Sequence, residues 1–143
     1  MKRQIKFRGK RNNGQWVYGG LCRRWDDKPC IVAYNPEERD DDPGSYEDNW
    51  DIYVDVYEDT IGQFTGLTDK NGKEIYEGDI VRYYDDVEDE LVSSHVIYHK
   101  ESCSFCAAPT KLCGDYIGIC AHWQYEVIGN IHDNPEQLKG GEM

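Results

Sequence analysis

Six cysteines and a run of cations are the side chains of this sequence whose chemistry could exceed packing. Cys103 and Cys106 stand two residues apart, Cys113 and Cys120 follow, and His95, His99 and His122 lie near them. Thiolates at the first spacing can bite one Zn²⁺, and a second pair must then close the tetrahedron. Cys113 and Cys120 have six residues between them, which is not the spacing of a second knuckle. A zinc-stabilised module over Cys103, Cys106, Cys113 and Cys120 is therefore the lesser expectation. The greater one is that these thiols are reduced, unpaired and fill a hairpin, because a small buried Cys packs as a hydrophobe. A thioredoxin-like redox pair needs a strand before the motif and a helix after it, and that context is missing.

The second constellation is basic. Lys2, Arg3, Lys6, Arg8, Lys10 and Arg11 are six of the 16 Lys and Arg. With Arg23, Arg24 and Trp16 they could form a cationic, aromatic patch for nucleic acid or for an acidic protein. The binding candidates are Lys6, Arg8, Lys10, Arg11 and Trp16. A formal net charge of −12 opposes generic nucleic-acid binding, which needs clustered cations against phosphate. The alternatives are a solvated outer face, or a face that docks on the protein's own acidic loops. A further alternative is a homo-oligomer, in which the basic strand of one subunit meets acidic surface on another.

Catalytic patterns fail one by one. Asp69-Lys70-Asn71-Gly72 looks like the front of a calcium loop, but with Gly72 as the sixth residue the first ligand falls on Leu67. The serines lie in no Gly-x-Ser-x-Gly phrase, and no phosphate-cradling glycine loop occurs. Asp79, after Gly78, fits a turn-capping role better than a catalytic one. The expectation is a binding protein rather than an enzyme, without a cofactor unless the cysteines hold zinc.

The elements that must position these residues are strands. Of the 143 residues, 38% are hydrophobic and 31% charged, while 11 Tyr and 4 Trp supply apolar area suited to a thin β-rich core. Arg3 to Leu21 reads as a hairpin about Asn13-Gly14, with Trp16 and Tyr18 on one face and Val17 on the other. Further strands are predicted at Cys30 to Tyr34, Asp51 to Tyr57, Ile61 to Thr65, Glu74 to Tyr76, Ile80 to Tyr84, Leu91 to Tyr98, Tyr116 to Cys120 and Gln124 to Ile131. Gly118 is a candidate bulge. Asn35 to Asp51 is a polar, acidic loop, Asp85 to Glu90 an acidic turn, and Asn71-Gly72 a tight turn. Asn134-Pro135 opens a closing helical turn. Short strands with frequent turns predict a small barrel or sandwich, and Gly78-Asp79-Ile80-Val81 fits the opening strand of an SH3-type barrel. A basic lobe over residues 1–50 and a barrel over 51–143 are expected, with one continuous domain as the alternative. No apolar run approaches the roughly 18 residues of a membrane span. The start, MKRQIKFRGKRNNGQ, lacks the apolar stretch of a secretory signal, so a cytoplasmic protein with reduced thiols is expected.

Three blocks carry a family resemblance. They are Ile5 to Lys10 with Trp16 to Gly19; Thr60 to Leu67 with Asp69 to Gly72 and Ile75 to Val81; and Glu126 to Ile131 with Asn134 to Glu136. In order and spacing the chain resembles the YopX family of phage and prophage proteins over nearly its whole length. The resemblance implies an all-β protein with an SH3-type barrel, encoded in bacterial phages or prophages, and no catalytic residues. Asp26 to Asp59 and Asp85 to Gln124 are its variable parts, so the cysteine cluster lies outside what it covers. A homo-oligomer or an unidentified protein partner is expected, and no membrane.

Overall fold

Alternating apolar and polar residues build the strands, and glycines, asparagines and aspartates turn them. The computed structural model describes residues 4–33, 53–86, 88–110, 114–119 and 124–138. The chain divides into two units, Met1–Phe64 and Thr65–Met143. It is all-β, built on antiparallel sheets. Among the described residues no helix is long and apolar enough to cross a membrane.

The first unit holds β1 (Phe7–Lys10), β2 (Trp16–Arg23), β3 (Pro29–Ala33), β4 (Tyr53–Asp55) and the start of β5 (Gly62–Thr68), in the order β4-β3-β2-β1-β5. The first hairpin turns where its Asn-Gly predicts. Gly14 takes φ +88°, its N–H donates to Arg11 O at 2.9 Å, and the Asn13 side chain accepts from Gln15 N–H. Val17 then faces inward with Ile31, Ala33 and Val54, and Phe7 and Val56 pack against them. Each fully buried Val or Ile contributes roughly 1.5–3 kcal/mol before chain entropy is set against it. Thr60, in a 3₁₀ turn at Glu58–Thr60, is buried. Its Oγ1 accepts Lys10 N–H at 2.8 Å and donates to Tyr57 O at 2.6 Å, which ties that turn to the end of β1.

In the second unit the rest of β5 pairs with β6 (Glu74–Tyr76). A five-stranded sheet follows: β7 (Asp79–Asp85), β8 (Glu90–His99), β9 (Ser104–Ala107), β10 (Ile117–Gly118) and β11 (Glu126–Asn130), ordered β10-β9-β8-β7-β11. Ile75, Val81, Tyr83, Val92, Val96, Ala107 and Tyr125 form its core. Tyr83 and Tyr125 meet edge to face at 5.4 Å. The distinctive block behaves as its turn residues predict. Gly72 has φ +83° and Gly78 φ +93°, Asp79 accepts Tyr76 N–H at 2.8 Å, and Ile80 is fully buried.

Three expectations change. Among the described residues the second sheet ends at β10 and β11 without joining them, so the expected barrel is an open sheet there. The two residues of β10 offer too short a ladder to close it. The strand irregularity falls between Val127 and Gly129 rather than at Gly118. A Cβ on Gly129 would sit 2.6 Å from Asn134 Oδ1, so the chain can bend there only without a side chain. Strand β9 stands where no separate strand is predicted. The closing helical turn forms where Asn134-Pro135 predicts it, as a 3₁₀ turn over Pro135–Leu138, and Asn134 Oδ1 accepts Asn130 N–H. The acidic loop at Asn35 to Asp51 lies outside the described residues.

Candidate functional site

Antiparallel register assembles the basic face. Arg8 lies opposite Tyr18 and Lys10 opposite Trp16, and directly opposed residues share a face. Lys6 is two residues before Arg8, and its carbonyl accepts Phe64 N–H at 2.8 Å, which extends the pairing to β5. Lys6 Nζ stands 5.2 Å from the centre of the Phe64 ring. The Arg8 guanidinium stands 4.7 Å from that of Trp16. Lys6, Arg8 and Lys10 therefore form one row with Trp16, Tyr18 and Phe64 on the same face. Cation–π contacts of this kind contribute about 0.5–2 kcal/mol each, most where water is excluded. Arg8 is only 5% exposed.

Arg11 leaves this row. It belongs to the hairpin turn, where its guanidinium meets Gln15 Oε1 at 3.4 Å. With Asn12, Asp55, Val56 and Tyr57 it lines a depression of about 230 Å³. Arg24 also serves elsewhere, donating to Tyr53 O at 2.8 Å and lying 3.5 Å from Asp55, so it holds β4. Arg23 donates to Asp27 O within its own turn. Sequence reasoning passed over Phe64, whose approach to β1 depends on a distant strand. It also passed over Trp25, which is 90% exposed at the tip of the β2–β3 turn.

A second candidate lies in the second unit, a cleft of about 370 Å³. Lys70, Arg82, Tyr84, Leu91, Gln124 and Glu126 line it, together with Tyr83. Tyr84 and Leu91 are ladder partners, 46% and 65% exposed, and make its apolar wall. Lys70 and Arg82 each reach the Glu126 carboxylate at 3.0 Å. The Lys70 hydrogen bond above all, with the charges of Lys70 and Arg82, holds the Glu126 carboxyl below its usual range. An anion entering the cleft must displace Glu126 from both cations.

The cysteine motif divides. Cys103 is exposed in the turn before β9, at φ +52°, with its thiol against Lys100 O. Cys106 is buried in β9, and its sulfur lies 3.5 Å from Ser104 Oγ. Cys113 and Cys120 lie outside the described residues. His99 bonds Ser102 and stacks on Tyr116. Among the described residues no three His, Cys, Asp or Glu side chains gather as a metal site requires.

Comparison with known proteins adds three findings. The family model described as YopX protein matches residues 6–139. No curated protein matches the chain. Among solved structures, the crystal structure of protein EF1440 from Enterococcus faecalis is 23% identical with a TM-score of 0.49, covering 96% of this chain and 100% of that one.

Proposed function

The chain belongs to the YopX family, and from that premise we propose that it is a phage- or prophage-encoded, non-catalytic binding protein of the bacterial cytoplasm. Its working surface is the basic, aromatic face of β1, β2 and β5. The phage setting is what the family resemblance implies. The second unit is taken as an SH3-type module, because β7 to β10 run as a meander and β11 returns beside β7. The two best-placed acids of the distinctive block are spent on backbone amides, Asp69 and Asp79 alike.

The observation that carries the binding reading is Lys6 and Lys10 at the two ends of the basic row, flanked by aromatic rings, with the buried Arg8 between them holding Trp16 in place. Alternate residues of a strand repeat about every 7 Å. That repeat matches acidic side chains at alternate positions of an extended polypeptide. In this reading the occupant is an acidic polypeptide, supplied by a protein partner or by a second copy of this acid-rich chain. Nucleic acid is the second reading, favoured by the same cations and opposed by the net charge of −12.

The test compares an oligoglutamate peptide with a single-stranded oligonucleotide of equal charge, at about 0.15 M salt. The peptide is expected to bind, and Lys6→Glu with Lys10→Glu to weaken it roughly tenfold, or about 1.4 kcal/mol. Saturable oligonucleotide binding that falls steeply with salt and is lost in the same variant would establish the second reading instead.

A further inference from the structure

Cys22 on β2 and Cys30 on β3 are direct partners in the antiparallel ladder. Both are free thiols, Cys30 buried and Cys22 partly open to solvent. The turn between them sets what kind of pair they make. Arg24 N–H donates to Lys28 O at 3.0 Å, and Pro29, opposite Arg23, has no N–H to give. Hydrogen-bonded and open positions alternate along such a ladder, so Cys22 and Cys30 occupy a hydrogen-bonded one, with Cα atoms about 5.5 Å apart. That separation falls inside the usual range for a disulfide, whereas Cβ atoms at such positions stand wider than the roughly 3.8 Å a relaxed bridge prefers. A bridge here closes under strain, and strained bridges are the readily reduced ones.

We propose that Cys22 and Cys30 form a reversible dithiol–disulfide site, oxidised by a small-molecule disulfide of the glutathione class. The Cys22 thiolate attacks one sulfur of the oxidant, its S–S bond breaks, and one glutathione leaves as thiolate and takes up a proton. The Cys30 thiolate then attacks the Cys22 sulfur of the mixed disulfide and releases the second glutathione. Two protein thiols become one disulfide while one oxidised glutathione becomes two reduced ones. The order follows from access, and burial also pushes the Cys30 thiol up despite the Arg24 guanidinium beside it. The bridge pins β2 to β3 below the exposed Trp25, and it stands independently of the acidic-partner reading.

The experiment uses the intact folded chain in glutathione buffers from fully reduced to fully oxidised, followed by thiol blocking, trypsin digestion and mass spectrometry. The peptides carrying Cys22 and Cys30 are expected to appear linked, two hydrogen masses below their sum, in oxidised buffers and separate in reduced ones. Cys30→Ser is expected to stop at a glutathione adduct on Cys22; if that variant does not fold, the wild-type map decides alone. Unlinked Cys22 and Cys30 in the most oxidised buffer, a persistent wild-type adduct, linkage to Cys103 or Cys106 instead, or a bridge that survives the most reduced buffer would each overturn the proposal.

Discussion

Gly19→Ala is expected to unfold the β2–β3 hairpin and with it the sheet of the first unit. A Cβ at Gly19 would lie 1.8 Å from Val32 O and 2.7 Å from its carbonyl carbon. The obstacle is backbone, so no side-chain rotation can relieve it. Relief requires β3 to move away from β2, which breaks the register Gly19 to Ala33 and Gly20 to Val32 that buries Ile31 and Val17. Overpacked cores typically lose about 1–3 kcal/mol when side chains can yield, so the upper end or beyond is expected here. Gly66→Ala is the control: nothing lies within 4 Å of its Cβ, and only its φ of +93° opposes the change, at about 1 kcal/mol. Amide exchange at Val32 and Ala33 reads the difference. Equal protection in the two variants would contradict the β2–β3 register.

Asp69→Asn is expected to destabilise the second unit by about 3 kcal/mol at neutral pH, because a buried ionised acceptor serves several donors at once. Asp69 Oδ1 accepts Asn71 N–H at 2.8 Å and Lys73 N–H at 2.9 Å, and Oδ2 accepts Val127 N–H at 2.9 Å. One carboxylate thus closes the Asn71-Gly72 turn and ties it to β11. The asparagine amide would present a donor to Val127 N–H. Burial alone would raise the Asp69 carboxyl, but the Val127, Lys73 and Asn71 amides and the Lys73 charge together hold it below its ordinary value of 3.8. A carboxyl lowered by folding stabilises the fold above that ordinary value, and the contribution disappears as pH falls through the folded value. The stability gap between wild type and Asp69→Asn should therefore be constant down to about pH 4 and shrink below it. A gap that does not change with pH in denaturant unfolding would rule out the ionised acceptor.

Much of this was legible in the chain because it is local. Asn13-Gly14, Asn71-Gly72 and Gly78-Asp79 announce their turns through φ preference and side-chain hydrogen bonding. The period-two spacing of Lys6, Arg8 and Lys10 already places them on one face, and the Asn-Gly turn sets Trp16 across from them. Phe64 was not legible, because the pairing of β5 with β1 is chosen by packing between segments distant in sequence. Strand β9 is not legible in the chain because Ser104 to Ala107 is short and Cys106 suits a metal-ligand spacing as well as a strand. Closure of the second sheet could not be read either, since it turns on how long β10 is. Cys22 and Cys30 were readable in principle: they lie symmetrically about Asp26, but only a known turn makes that symmetry a contact.

The basic face of β1, β2 and β5 is where an acidic polypeptide is expected to bind. Isotope-labelled protein titrated with oligoglutamate, followed by backbone amide chemical shifts, tests this directly. The predicted result is a saturable set of shifts confined to Lys6 through Lys10, Trp16 through Tyr18 and Gly62 through Phe64. Shifts centred instead on Lys70, Arg82 and Glu126 would place binding in the second unit's cleft and contradict its assignment to the basic face.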